Sequence, residues 1–488
     1  MISFEIVNKN TQVKITGDIN EISLVREHFS EINPAYKTTK NKFTKPRLYA
    51  ITPGGKFAVG ILREVLRVAI DNQIQVSLGN NVKKIYKPGW ENPTIILPPN
   101  LEACGIKGLH PYQEKAAIAA LQQGRGISEI ATGGGKTLLC ATLIESIRYH
   151  LKKPDALAVV LVPTIQLVEQ TSQDFINYGL TKVTKWSGNN VPDPEARIIV
   201  VGTSILMSKH TDCSLLAEAD IFLGDEAHGF RRGNSINKKL DLLTTLHQFG
   251  FTGTLPPSKM DEWAILGRFG PITYIEKTDS LKEQGFVSDF KVVVLNVQHR
   301  NPPKRKWYAK DDPNQPLPTE FYHEELEFLF NSNRRNEIVS KLAYRLPSNS
   351  LIIVDRLQHG ENLFNKLKEV CGLDRPVYYI NGSVDIEERE KIRDLIKTHK
   401  DVIIVAIAKI FSTGLNIPNL HNIIFASAGK SKIKIMQSIG RALRLHPSKT
   451  LAMIFDIADN TNYGILHLVE RRKLYDEEKY DYTEKTIS

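Results

Sequence analysis

Short apolar runs alternate with stretches of helical periodicity over most of this 488-residue chain. Between residues 127 and 256 the runs fall at 157–162, 197–201 and 220–224. Between 286 and 456 they fall at 291–295, 351–354, 377–380, 402–407, 422–425 and 452–455. Runs apolar on both faces suit strands buried in a mainly parallel sheet with helices on either side. The pattern predicts an α/β fold with two parallel-sheet domains in tandem, 96–285 and 286–456. Residues 1–95 read differently. Alternation at 3–7 and 12–16 predicts strands, and 22–29 and 56–71 read as helices, so a small N-terminal α+β domain comes first. Residues 84–99 are polar and carry Pro88, Pro93, Pro98 and Pro99, which reads as a linker. The last residues, 457–488, read as a helical C-terminal tail of mixed charge.

Ligands of such sheets gather at the carboxyl ends of the strands. Two stretches there carry chemistry. The first is Thr132-Gly133-Gly134-Gly135-Lys136-Thr137, between a short run starting at Gly126 and a helical stretch. Successive glycines turn the backbone tightly and aim N–H groups inward, and the helix start adds its positive dipole end. Lys136 is placed for β- and γ-phosphates, and the Thr137 hydroxyl for Mg²⁺. The general pattern has glycine where Ile130 stands. The second stretch is Asp225-Glu226-Ala227-His228, just after the run at 220–224. Asp225 suits Mg²⁺ held through water, Glu226 suits orienting and deprotonating an attacking water, and His228 suits sensing the γ-phosphate region. Alone, one is a glycine turn and the other an acidic pair capping a helix. In sequence within one α/β unit they point to ATP and Mg²⁺.

Other positions keep two readings at this point. Gln113, about twenty residues before the glycine loop, can bond both edges of adenine or serve as a polar helix start. Thr164, Thr203, Thr252 and Thr254 follow apolar runs; their hydroxyls suit nucleic-acid phosphates or coupling, and equally suit helix caps. In the second α/β domain there is no further Gly-Lys-Thr. The turn with Thr413, Gly414 and Asn416 can offer N–H groups to a phosphate. Arg441 and Arg444 are three apart and share a helix face, next to Gly440 and after Lys430, Lys432 and Lys434. Such a pair suits a γ-phosphate under attack, or a solvated basic helix.

Charge sharpens the picture. The net charge of +10 favours a polyanionic partner or a generally basic surface. No acidic residue falls between Glu31 and Glu64, where Lys37, Lys40, Lys42, Lys45 and Arg47 alternate with Tyr36, Phe43 and Tyr49. That mixture suits a nucleic-acid contact, or a basic loop whose aromatics fill a small core. The four cysteines show no C-x-x-C pairing, which fits a reducing cytoplasm and argues against a disulfide framework or zinc site. No apolar run is long enough to span a membrane.

Taken in order, Tyr112-Gln113, Thr132-Gly-Gly-Gly-Lys-Thr137, Asp225-Glu-Ala-His228, Thr252-Gly-Thr254, Ser412-Thr-Gly414 and Gln437-x-x-Gly-Arg441-x-x-Arg444 resemble the motifs of superfamily 2 helicases. The small N-terminal domain, the compact length and residues 430–433 are most similar to the UvsW-type DNA helicases of tailed phages. Thr252-Gly-Thr254 stands where Ser-Ala-Thr is commoner. The resemblance implies two RecA-like domains with ATP in the cleft between them. It adds Tyr112 and Gln437 to the nucleotide contacts and Thr413 to the nucleic-acid contacts. It also implies a monomer in the host bacterial cytoplasm that uses ATP to unwind and branch-migrate DNA. Its substrates would be forks, D-loops, R-loops with their DNA–RNA hybrids, and four-way junctions, in replication, recombination and repair. A translocase on intact duplex, an RNA helicase and a strand-annealing or junction-binding protein with ATP-regulated affinity remain as alternatives.

Overall fold

The computed structural model describes the chain except residues 8–10, 38–43, 87, 132, 189, 287, 304–317, 383, 385–391, 393–394, 397–398, 409–418 and 428–450. It divides into two compact units, residues 1–131 with 135–276, and residues 132–134 with 277–488. The first unit opens with β1 (Ile2–Val7), β2 (Gln12–Gly17) and helix α1 (Ile19–His28), started by the Asp18 side chain accepting from the Asn20 and Glu21 N–H groups. A small antiparallel pair follows, β3 (Ser30–Ile32) and β4 (Arg47–Tyr49). Then come β5 (Lys56–Ala58), α2 (Leu62–Asp71), β6 (Val76–Leu78) and α3 (Asn80–Tyr86). The helix expected over 56–71 therefore begins six residues late. Lys56–Ala58 instead pairs with β2, and Phe57 packs edge-on against Phe4 at 6.3 Å. The sheet order is β5-β2-β1-β6.

The proline-punctuated stretch after α3 is strapped to the rest of the unit. The Trp90 ring stacks on His150 at 4.7 Å and on His247 at 5.1 Å, and the Ile96 N–H donates to Ser146 Oγ at 2.9 Å.

The large sheet of this unit is built from α4 (Pro111–Gln123), β7 (Gly126–Ile130), α5 (Lys136–Leu151), β8 (Ala158–Val162), α6 (Ile165–Asn177), β9 (Val183–Trp186) and β10 (Ile198–Gly202). It continues with α7 (Thr203–Met207), β11 (Ile221–Gly224), α8 (Ile236–Leu240), β12 (His247–Thr252), α9 (Lys259–Phe269) and β13 (Ile272–Glu276). The seven strands are parallel in the order β13-β7-β12-β11-β8-β10-β9. The apolar runs at β8, β10 and β11 are buried on both faces. The pattern did not single out β9, β12 or β13. β9 and β13 are edge strands with half-exposed positions, and β12 starts polar and is interrupted by Gly250. That glycine has a steric reason. Gly250 and Gly224 are ladder partners, and a Cβ on either would come within 2.9 or 2.7 Å of the Phe269 ring. The slot they leave seats the end of α9 on the sheet.

The same helix joins the small sheet to the large one. Phe29 and Trp263 pack at 5.3 Å, and one apolar core runs from Ile2 and Phe4 through Leu266 and Phe269. A Cβ on Gly60 would overlap the Leu266 carbonyl oxygen. Glu31 of β3 accepts from Ser258 Oγ at 2.9 Å and from the Met260 N–H at 3.0 Å, at the start of α9.

The second unit contains α10 (Thr278–Glu283), β14 (Asp289–Val297), α11 (Pro318–Asn331), α12 (Asn333–Arg345), β15 (Ser350–Val354), α13 (Leu357–Cys371), β16 (Val377–Ile380), β17 (Ile403–Ile407) and β18 (Asn422–Phe425). It ends with β19 (Leu451–Asp459), α14 (Asn462–Glu477) and β20 (Tyr482–Ile487). The strands form a second seven-stranded parallel sheet, β16-β17-β15-β18-β19-β14-β20. Two such sheets in tandem with a small mixed sheet ahead make the fold α/β of the RecA-like kind. The helical reading of 457–488 needs correction. Only its middle is helix; β20 pairs with β14 from Val292↔Tyr482 to Val297↔Ile487. An edge strand with exposed Glu484 and Lys485 carries the charges of a solvated helix, so periodicity alone does not separate them.

Candidate nucleotide site and nucleic-acid contacts

The glycine loop leaves β7 and enters α5. Ile130 is the last residue of β7, with its side chain fully buried, and the next N–H, of Ala131, donates to the Glu276 carbonyl at 3.0 Å. The position where the general pattern has glycine is thus still strand, and core packing selects isoleucine. Gly133 (φ +91°) and Gly135 (φ +68°) take left-handed backbone. A side chain at 135 would also overlap Gln113 Nε2. Among the described residues no side chain caps α5, so its first N–H groups suit an anion, with the helix dipole behind them. Lys136 Nζ donates to the Ile130 carbonyl at 3.3 Å, and Thr137 is half-buried one residue on. Gln113 is buried; its Oε1 accepts from the His110 N–H at 2.9 Å and its Nε2 reaches the Gly135 carbonyl at 3.5 Å. It therefore closes the first turn of α4 while touching the loop. Tyr112 beside it is buried, and burial followed by Glu276 pushes its hydroxyl up to about 12.

Asp225 follows β11, and its N–H continues the ladder to the Leu161 carbonyl at 2.9 Å. Its Oδ1 is buried with no hydrogen-bond partner among the described residues. Burial, then Glu226, push its carboxyl up to about 6, while Lys136 pulls the other way. An orphaned carboxylate oxygen at a strand's carboxyl end, within the field of the loop lysine, fits a cation ligand. Glu226 has left-handed backbone (φ 49°, ψ 52°), a conformation uncommon for non-glycine residues. Its Oε2 lies 3.3 Å from His228 Nδ1. Burial, then Arg231, lower His228 to about 4, so the ring is neutral at pH 7. The Thr252 hydroxyl donates to the Thr254 carbonyl at 2.7 Å, so at 3.1 Å it can only accept from His228 Nδ1–H. This fixes the tautomer and ties the acidic stretch on β11 to Thr252 on β12.

The Type III restriction enzyme, res subunit family matches residues 106–257, and the Helicase conserved C-terminal domain matches residues 334–446. The ATP-dependent DNA helicase uvsW of Enterobacteria phage T4 is 30% identical over 405 residues, covering 78% of this chain and 77% of that protein. The chain belongs to the UvsW-type superfamily 2 helicases. It is an ATP-dependent DNA helicase. Among solved structures, the ATP-dependent Type ISP restriction-modification enzyme LlaBIII bound to DNA shares the fold at TM-score 0.55 and 16% identity, over 86% of this chain and 34% of that one. S. cerevisiae Dbp5 bound to RNA and ADP BeF3 does so at TM-score 0.53 and 14% identity, over 79% and 92%.

The helicase's expected nucleic-acid contacts fare unevenly. Thr164 starts α6, accepting from the Leu167 N–H at 3.3 Å, and the Thr203 hydroxyl donates to the Pro163 carbonyl at 2.8 Å. Both hydroxyls have internal roles. Arg47 donates to Ser30 Oγ at 2.7 Å and lies 3.7 Å from Glu27; Lys45, two residues earlier, is exposed. Tyr49 is committed, its hydroxyl donating to Glu27 at 2.8 Å and its ring lying under the Arg26 guanidinium at 3.6 Å. Tyr36 is exposed. Lys40, Lys42, Thr132, Thr413, Gly414, Asn416, Gln437, Arg441 and Arg444 lie outside the described residues, as does the Lys37 side chain. Among the described residues, no helix is long and apolar enough to cross a membrane. Sequence reading missed Glu31 and Arg125, whose roles rest on contacts with distant α9.

Proposed function

We propose that this helicase unwinds and branch-migrates branched DNA, including forks, D-loops, R-loops and four-way junctions, as a monomer. The observation behind this reading is that the small domain carrying Lys45 and Arg47 shares one core with the ATP-site domain. A cationic surface carried on the motor itself can hold one arm of a junction while the motor moves another. We assign residues 96–285 to the ATP-site domain and 286–456 to the second motor domain.

In hydrolysis, the loop N–H groups and Lys136 hold the phosphates. Mg²⁺ would be held by Thr137 and Asp225 and would screen the β- and γ-oxygens. Glu226 takes a proton from water as the water oxygen bonds to the γ-phosphorus. The bond to the β–γ bridging oxygen breaks and ADP leaves. Arg441 and Arg444 supply guanidiniums to the transferred phosphoryl group, and Gly414, Asn416 and Gln437 add nucleotide contacts. Thr132, Thr164, Thr203, Thr413, Lys37, Lys40 and Lys42 complete the assignment, the first to the nucleotide and the rest to nucleic acid. The test is ATPase and unwinding measured on single strand, linear duplex, fork, four-way junction and DNA–RNA hybrid. Forks and junctions should give the highest rates, and Lys136→Ala should abolish turnover and unwinding while sparing DNA binding. Equal rates on linear duplex and junction, or unwinding by Lys136→Ala at the normal rate, would refute the proposal.

A further inference from the structure

A cavity of about 250 Å³ lies in the first unit beside Arg125 and Gln248. Arg125 precedes β7 and Gln248 is the second residue of β12, so the cavity is at the amino-terminal ends of these parallel strands. The glycine loop and Asp225 are at the opposite, carboxyl ends. Gln12 and Ala58 of the small sheet form one wall, and Arg268 of α9 stands in another.

The cavity is rich in cations. Among the described residues, Arg125, Arg232 and Arg268 line it against one carboxylate, Asp241, which is held by Arg268 at 2.6 Å. Arg125 is 3% exposed. Its Nε and Nη2 donate to the Phe269 and Arg268 carbonyls at 3.1 and 2.7 Å, closing the carboxyl end of α9. Among the described residues its Nη1 has no partner, and Arg268 Nε, Gln248 Oε1 and Asn237 Oδ1 are likewise buried and unpartnered. Four orphaned atoms on residues around one cavity are unusual, because buried polar groups are normally satisfied. Burial, then the neighbouring Arg268, depress Arg125 to about 10, as expected for a cation short of counter-charge.

We infer that this cavity binds a phosphate-class oxyanion, separately from the nucleotide. Guanidiniums match phosphate oxygens in charge and geometry, and the amide oxygens of Gln248 and Asn237 can accept from a P–OH. The phosphate is either free orthophosphate or one borne by a nucleic-acid strand. Bound there, it ties the small domain to α9.

The experiment titrates inorganic phosphate into the full chain, following heat of binding and thermal unfolding, with chloride matched in ionic strength. Lys136→Ala should keep a phosphate response, which separates the cavity from the glycine loop. Gln248→Glu and Arg232→Glu should bind phosphate at least about tenfold more weakly. Arg232 is exposed, so its variant keeps the test valid if Gln248→Glu misfolds. A short oligothymidylate identifies the source. Competition with phosphate, and weaker oligonucleotide binding by the same variants, marks a strand phosphate. Unchanged oligonucleotide binding with lost phosphate binding marks the free anion. If both variants bind phosphate and oligonucleotide as wild type does, or if Lys136→Ala alone loses the phosphate response, the inference is wrong.

Discussion

Asp225 combines the position proposed above for holding Mg²⁺ with a thermodynamic penalty. Its carboxyl is raised from 3.8 to about 6 by burial and then by Glu226. A raised acid binds its proton more tightly folded than unfolded. Its contribution to stability is therefore full below about pH 4 and lost as pH rises through about 6. Asp225→Asn should raise the melting temperature of the nucleotide-free protein, by more at pH 7 than at pH 4, while abolishing ATPase. A thermal-unfolding series across pH checks both. For wild type, ATPase at limiting Mg²⁺ should fall as pH drops below about 6, since the cation needs the ionised carboxylate. At the same scale, Glu226→Gln should keep nucleotide affinity and lose about 10²–10⁴ in turnover, the usual share of a general base. The glycine loop and the Asp225–His228 stretch were legible in the sequence because their chemistry demands particular residues at short spacing. Arg125 was not legible. Nothing near it in the chain says that it closes a helix ending at Phe269, 144 residues away.

Helix α9 shows what elements add. It begins at the Glu31 carboxylate, ends at the Arg125 guanidinium and lays Phe269 over two paired glycines. Gly60→Ala should therefore destabilise the first unit by roughly 1–3 kcal/mol, because the added methyl meets backbone rather than a movable side chain. Chemical denaturation would read this as a lower midpoint with an unchanged slope. Thr252→Val cuts the contact between β12 and His228. Unwinding should fall about tenfold while DNA-stimulated ATPase falls less, if that hydroxyl couples the two. Of these elements, periodicity revealed most strands buried on both faces but not β12, which starts polar and is interrupted by Gly250. It failed at β9, β13 and β20, where an edge strand needs no continuous apolar run. It also failed over 56–58, where apolar residues at mixed spacings fit either period.

For the whole molecule, the charge of +10 sets the expectation for binding. DNA affinity should fall steeply and log-linearly with salt, and Lys45→Ala should lower that slope by about 1 without changing ATP affinity. Fluorescence anisotropy at several salt concentrations gives both numbers. The tandem architecture was legible from the spacing of apolar runs. The embedding of the small domain was not, because Gly60 and Gly267 look like ordinary helix residues until their backbones meet.

That embedding limits how the helicase can be dissected. Removing residues 1–86 would not trim an accessory flap from a minimal engine. It would strip the cover from Trp263 and Leu266 and leave α9 without its Glu31 cap. The truncated chain should be recovered as aggregate, and its loss of unwinding would report a wounded core rather than a missing DNA grip.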